Sequence, residues 1–378
     1  MKTSSTSTTL CPRLPRHFLG WWRSAAVCIF GLATGMAQPV ATADGFALPQ
    51  PGHRFEFPRD HGAHPEFKLE WWYVTGHLYD ESKRRYGFQA TFFRQTAPDR
   101  STELHLAHMA LLDVAEGRFL HQERLNRDSW DASAQRVTLE VRNGPWSLRR
   151  VDGPRDVMEL AGGIRSDVNF RLSLQPSKPL VVFGENGVSR KGDDPTAASY
   201  YLTFSRLQVT GELTLGAGVP RRVSGEAWMD HEISSSQLSA NQVGWDWISI
   251  QLRDEPRELM LYRLRRADGS EDPASTLQWV SPESRPQRSP HVWKVLSTWK
   301  SPATGAVYPA RIRLTTKDPQ TGEDRTFILE PLKSEQELTG DLAGIAYGEG
   351  ACRVLDDRQR EIGSAYMELT GYARALKL

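Results

Sequence analysis

The chain reads as an all-β protein made of two related β domains. Three observations predict this. Short runs with apolar residues at every second position, separated by Gly, Pro, Asp and Asn clusters, recur from residue 70 to the C-terminus. No stretch carries the apolar period of a long helix. A unit made of a Trp-headed strand, a charged hairpin and an apolar strand ending in Arg occurs at Trp72 to Arg94 and again at Trp247 to Arg265. At 378 residues the chain is longer than one small domain needs and suits two. With 39% hydrophobic and 25% charged residues and a mean hydropathy of −0.51, it is neither disordered nor a polytopic membrane protein.

Residues 1–43 read as a secretory signal. Lys2, Arg13, Arg16 and Arg23 stand without an acid before the apolar run Ala25 to Met36, and Ala41-Thr42-Ala43 supplies a small-x-small cleavage site. Asp44 is then the expected mature start, and the protein is expected in the periplasm or secreted. The apolar run is shorter than the ~20 residues that span a bilayer, so no integral span is expected after signal removal. Lipidation at Cys28 is an alternative, although Val27 before it is bulkier than a lipoprotein site prefers. Without residues 1–43 the 47 basic residues fall by four to 43, against 46 acidic ones, a net −3. No electrostatic footprint for nucleic acid remains. Of three cysteines only Cys352 is left, which allows neither an intramolecular disulfide nor a thiolate zinc site.

The elements follow in order. Trp72, Val74, Gly76 and Leu78 fall on one side of the first strand and Trp71, Tyr73, Thr75 and His77 on the other. The polar run Asp80 to Arg85 turns the chain. Phe88, Ala90, Phe92 and Arg94 share a face of the next strand, and Leu104, Leu106, His108, Ala110 and Leu112 share one on the strand after, which predicts an antiparallel meander. The hairpin Gly211 to Arg222 places the domain boundary near Gly225, giving domains 44–225 and 226–378. Asp268 to Pro290, rich in Ser, Pro, Asp and Glu, reads as a long surface excursion.

Chemistry-bearing residues gather in three clusters. Asp60-His61-Gly62-Ala63-His64-Pro65 leads into Glu70-Trp71-Trp72-Tyr73. Gly62 and Pro65 deny it the helix that would fix metal-ligand spacing, so no metal is expected; an ordered loop or a polar site at a barrel mouth remain open. Trp228-Met229-Asp230-His231-Glu232 is followed by Gly244-Trp245-Asp246-Trp247. Burial beside these indoles would raise a carboxyl pKa and lower that of His231, making an acid and a base available near neutral pH, or the cluster could be a structural node. Adjacent strand residues face opposite sides, so all three ionisable groups can share a pocket only if the backbone bends. Tyr347-Gly348-Glu349-Gly350 and Tyr366-Met367-Glu368-Leu369 form the third cluster, read as closure by the last two strands. His108 and Arg94 interrupt apolar faces and call for polar partners. No nucleophile elbow, phosphate loop or dinucleotide fingerprint occurs.

The boxes Asp60-His61-Gly62-x-His64-Pro65, Glu70-Trp71-Trp72-Tyr73-x-Thr75-Gly76, Trp228-x-Asp230-His231-Glu232, Gly244-Trp245-Asp246-Trp247, Tyr308-Pro309 and Glu368-Leu369-Thr370-Gly371-Tyr372 together resemble lipocalin-like proteins related to carotenoid 1,2-hydratase and to secreted AttH-type proteins of bacterial ABC-transport operons. The resemblance implies two lipocalin-like barrels packed as a pseudo-dimer around a cleft for an isoprenoid- or polyketide-like ligand. It also implies a cofactor-independent hydratase or, alternatively, a non-catalytic periplasmic carrier working with an ABC transporter. On that reading Asp230, His231, Glu70 and His108 are the candidate catalytic residues, with Asp230 as the acid that protonates an alkene. Trp72, Tyr73, Arg94, Trp228, Trp245, Trp247 and Tyr347 are the candidate ligand contacts, and no cofactor is implied. Ile233, Ile312 and Gly348 stand where the family pattern has Trp, which suggests a reshaped or wider pocket.

Overall fold

The computed structural model describes residues 40–340, 342 and 344–376. The expected signal, Cys28 included, lies outside the described residues up to residue 39. The first sheet begins with β1 (Leu69–Asp80), β2 (Arg85–Thr96), β3 (Glu103–Asp113) and β4 (Arg118–Arg127). It continues through β5 (Ala132–Ala134), β6 (Glu140–Asn143), β7 (Trp146–Arg150), β8 (Met158–Ile164) and β9 (Val168–Pro176). The short β10 (Val181–Phe183) and β11 (Ser189–Arg190) precede the long β12 (Ala198–Leu215) and β13 (Arg221–Ser236). The order β4-β3-β2-β1-β13-β12-β9-β8-β7-β6-β5 curls into a nearly closed barrel.

The second sheet holds β14 (Gln242–Leu252), β15 (Glu258–Arg266), β16 (Thr276–Val280), β17 (Pro286–Ser289) and β18 (His291–Lys300). It is completed by β19 (Val307–Lys317), β20 (Asp324–Pro331), β21 (Glu337–Thr339), β22 (Ala346–Leu355) and β23 (Glu361–Leu369). The order β17-β16-β15-β14-β23-β22-β20-β19-β18 makes a half-barrel. All pairings are antiparallel within both sheets. The repeated unit takes the same place in each: a leading strand (β1, β14) pairs with the next strand on one side and with the last strand of its sheet (β13, β23) on the other.

Local chemistry explains the first hairpin. Asp80 Oδ1 accepts the backbone N–H groups of Ser82 at 2.9 Å and Arg84 at 3.0 Å, and Lys83 adopts a left-handed φ of 64°. Alternation then gives β1 two buried faces. Trp72, Val74 and Leu78 enter the barrel core with Phe88, Met109 and Phe170, whereas Trp71 and Tyr73 face the second sheet. That second face belongs to an apolar layer shared by both sheets, in which Tyr201, Trp228, Trp247, Tyr262 and Tyr366 pack together.

Two sequence expectations need correction. Gly225 lies inside β13, opposite Leu78 and Val209, so the crossing between sheets comes only after Ser236. Asp268 to Pro290 is not a surface excursion: it contains β16, whose Leu277 and Trp279 are buried in the half-barrel core, and β17 beside it. Most of its Ser, Pro and acidic residues occupy the turns flanking two short strands, and this masks their alternation.

Candidate functional site

Side chains of both sheets line a concave cavity that is partly open to solvent. The first sheet supplies Tyr73, Phe93, Tyr201, Asp230 and Glu232, and the second supplies Trp245, Trp247, Tyr262 and Glu368. Strand alternation decides membership. On β13, Trp228, Asp230 and Glu232 face the second sheet, whereas Met229 and His231 point into the barrel, where His231 stacks on Trp72 with ring centres 4.8 Å apart.

Asp230 is buried and its three hydrogen-bond partners are uncharged donors. Oδ1 accepts from Thr203 Oγ1 at 2.6 Å and Trp228 Nε1 at 2.7 Å; Oδ2 accepts from the Tyr201 hydroxyl at 2.8 Å. The Tyr201 oxygen in turn accepts Trp247 Nε1 at 2.8 Å, linking the two sheets through this carboxyl. Burial pushes Asp230 up to about 7 against the pull of these donors, and the nearby charge of Glu232 adds to the rise. Glu232 accepts the Ser199 hydroxyl and pairs with Lys191 Nζ at 3.0 Å. The Lys191 ammonium lies 4.1 Å from the ring centre of Tyr262 and 4.6 Å from that of Tyr201.

On the opposite wall Glu368 is half-buried, and it sits beside Trp247 on β14 and Glu349 on β22. Burial raises its pKa to about 8, opposed by a hydrogen bond from Trp245. Glu349 is fully buried; its Oε1 accepts the Tyr73 hydroxyl at 2.5 Å, and burial followed by the charge of Glu368 pushes its pKa well up. Of the last-strand cluster, read from sequence as closure, Glu368 therefore also lines the cavity.

Glu70 and His231 belong to a separate network inside the barrel mouth. Glu70 Oε1 meets His231 Nε2 at 2.7 Å and His64 Nδ1 at 2.9 Å; Oε2 accepts the His64 N–H at 2.9 Å and Arg94 Nε at 3.1 Å. Burial works to raise the Glu70 pKa, but the hydrogen bonds from His231 and His64 hold it far below the usual carboxylate range. His64 is raised despite its burial because Glu70 faces it, whereas burial lowers His231. His64, Glu70 and His231 present three donor atoms close enough for a metal ion. Arg94 neutralises the carboxylate at the same spot, so the arrangement is that of a closed ion-pair network.

Of the residues singled out in the sequence, Asp230, Tyr73, Trp245 and Trp247 line the cavity. Glu70 and Arg94 touch its edge with their charged atoms already engaged. Trp228 is buried next to Asp230 without forming cavity wall, and Trp72 is core, donating Nε1 to the His61 carbonyl at 3.0 Å. His108 and Tyr347 pair at 2.7 Å where the sheets touch, and burial, with a smaller effect from His121, drives His108 down to about 3. His108, His231, Trp72, Trp228 and Tyr347 are thus outside the cavity. Ile233 and Ile312 are core residues and Gly348 packs against Tyr308, so the three missing indoles do not widen it. Sequence reasoning missed Tyr201 and Thr203 on β12, Tyr262 on β15 and Lys191 just after β11, none of which stands in one of the residue boxes.

The AttH-like family model matches residues 48–372. The chain belongs to the AttH-like family. The crystal structure of an AttH protein from Nitrosomonas europaea is 35% identical to this AttH-like protein, covers 86% of it and all of its own chain, and superposes with a TM-score of 0.77. Kievitone hydratase from Nectria haematococca shares the fold at 13% identity and TM-score 0.65, with 89% and 97% of the two chains covered. CghA, solved with Sch210972, shares it at 10% identity and TM-score 0.51, covering 88% and 98%. No curated protein matches the sequence.

Proposed function

We propose that this AttH-like protein binds a lipophilic isoprenoid- or polyketide-like molecule between its sheets and adds water across one of its double bonds. The observation that carries the reading is Asp230, a buried carboxyl with a pKa of about 7 held on the wall of an aromatic cavity, with the Glu368 carboxyl at about 8 on the facing wall. Two carboxyls that exchange protons near neutral pH suit a reaction in which one proton is delivered to carbon and another is taken from water. Tyr73, Trp245 and Trp247 turn ring faces or edges to the same space, and indole and phenol faces stabilise a carbocation. A kievitone hydratase on the same fold agrees with the reading.

The test incubates the protein with geranylgeraniol and with kievitone in heavy-oxygen water. Gain of one labelled water by either compound is the expected result, lost by about a hundredfold or more in Asp230→Asn. Binding of both compounds, followed by quenching of Trp fluorescence, should survive the substitution. Binding without water addition in the wild type would make the protein a carrier; no saturable quenching would remove both readings.

A further inference from the structure

Resting on that reading, we infer that Glu368 is the acid that protonates the alkene and Asp230 the base that takes the proton from water, with Glu349 and Tyr73 as positioning residues behind Glu368. This reverses the role expected of Asp230 from sequence.

The hydrogen bonds decide the assignment. Asp230 is surrounded by donors: an indole N–H and a threonine hydroxyl on Oδ1 and a phenol on Oδ2. Such a shell stabilises a carboxylate. The Trp247 N–H on the Tyr201 oxygen turns that phenol to donate to Oδ2, and the Thr203 hydroxyl, nearer at 2.6 Å, donates to Oδ1. Glu368 lacks this shell. Its direct cross-strand neighbour is Glu349, whose Oε2 has no hydrogen-bond partner, and the groups acting on the pair are other carboxylates, Tyr73 and Trp245 rather than cations. Two carboxyls on one face of adjacent strands, without a cation, do not both ionise. The pair therefore holds a proton at the cavity wall. A purely structural pair is a poor explanation, because apolar residues of similar volume would close the sheet without burying acids.

The proton balance follows. The Glu368 carboxyl gives its proton to one alkene carbon, and the π bond becomes a new C–H bond and a cation on the neighbouring carbon. Water forms the C–O bond, and its surplus proton passes to the Asp230 carboxylate. A proton then returns from Asp230 to Glu368 through water in the open cavity, leaving net addition of one water.

Glu368→Gln and Asp230→Asn are near-isosteric, and they separate the roles in deuterated water with geranylgeraniol and kievitone. Glu368→Gln should abolish both hydration and deuterium entry at the alkene carbon. Asp230→Asn should lose hydration by about a hundredfold or more but keep deuterium entry, since the cation can return its proton to Glu368. The opposite pattern would overturn the assignment. Infrared spectra of the substrate-free protein test it separately. At neutral pH the protonated-carboxyl band should weaken more in Glu368→Gln and Glu349→Gln than in Asp230→Asn. A band that disappears only in Asp230→Asn overturns the inference, even if the wild type hydrates neither compound and the wider reading fails.

Discussion

Glu70 shows how one residue can look catalytic and be structural. Its carboxylate is fully buried and accepts two contacts on each oxygen, from His64, His231 and Arg94. Removing one member of a buried charged network leaves the others unpaired, so Glu70→Gln should destabilise the protein by about 3 kcal/mol at pH 6, measured as a shift in urea midpoint. The pH dependence has a defined sign. Glu70 is held below its ordinary 4.5, so its contribution is present above pH 4.5 and is lost as the pH falls toward its folded value. His64 is raised above 6.5, so its contribution is present below 6.5 and is lost as the pH rises through its folded value. The gap between wild type and variant should therefore narrow in acid. A gap unchanged on acidification would show that Glu70 acts by packing rather than by charge.

At the scale of elements, β1 and β13 carry the architecture, because their pairing joins the start of the barrel to its end along the whole length of β1. The approach is closest at Gly225, where an added Cβ would lie 1.9 Å from the His77 carbonyl oxygen and 3.0 Å from the Leu78 Cα. Backbone atoms of a paired strand cannot move aside as a side-chain tip can. Gly225→Ala should cost about 2 kcal/mol or more and lower the thermal midpoint, even though alanine is accepted in most strands. An unchanged midpoint would mean that the two strands separate without cost. The same strand shows what alternation reveals: Asp230 and His231 were bound to part company, and the register with Tyr73 and Trp72 shows which went where.

Across the whole molecule the two sheets are tied by shared polar contacts as well as by the common apolar layer. His77 Nε2 meets the Ala365 carbonyl at 3.0 Å, Gln251 Nε2 donates to the Ser205 and Ala227 carbonyls, and Arg206 Nε donates to the buried Glu258 at 2.7 Å. Both sheets belong to one compact unit. Thermal unfolding followed by far- and near-ultraviolet circular dichroism should give one coincident transition. A fragment ending at Gly225 should not fold, since the cut removes the part of β13 that pairs with Leu69 to His77 of β1. Two resolved transitions, or a folded fragment, would show the sheets to be independent.

Sequence by itself determined the strand-rich class, the paired hairpins and the family, because these rest on local period, turn chemistry and contiguous boxes. It also brought Asp230, Trp245 and Trp247 forward, since each sits in a motif. Only the tertiary structure decided that Glu70 and His231 close a barrel mouth while Asp230 and Glu368 face each other across a cavity. Tyr201 and Thr203 reach Asp230 from a neighbouring strand, Lys191 precedes that strand, and Glu349 meets Tyr73 across 276 positions of chain. Contacts of that kind are set by sheet register and by the packing of one sheet on another, and no local pattern of residues encodes either.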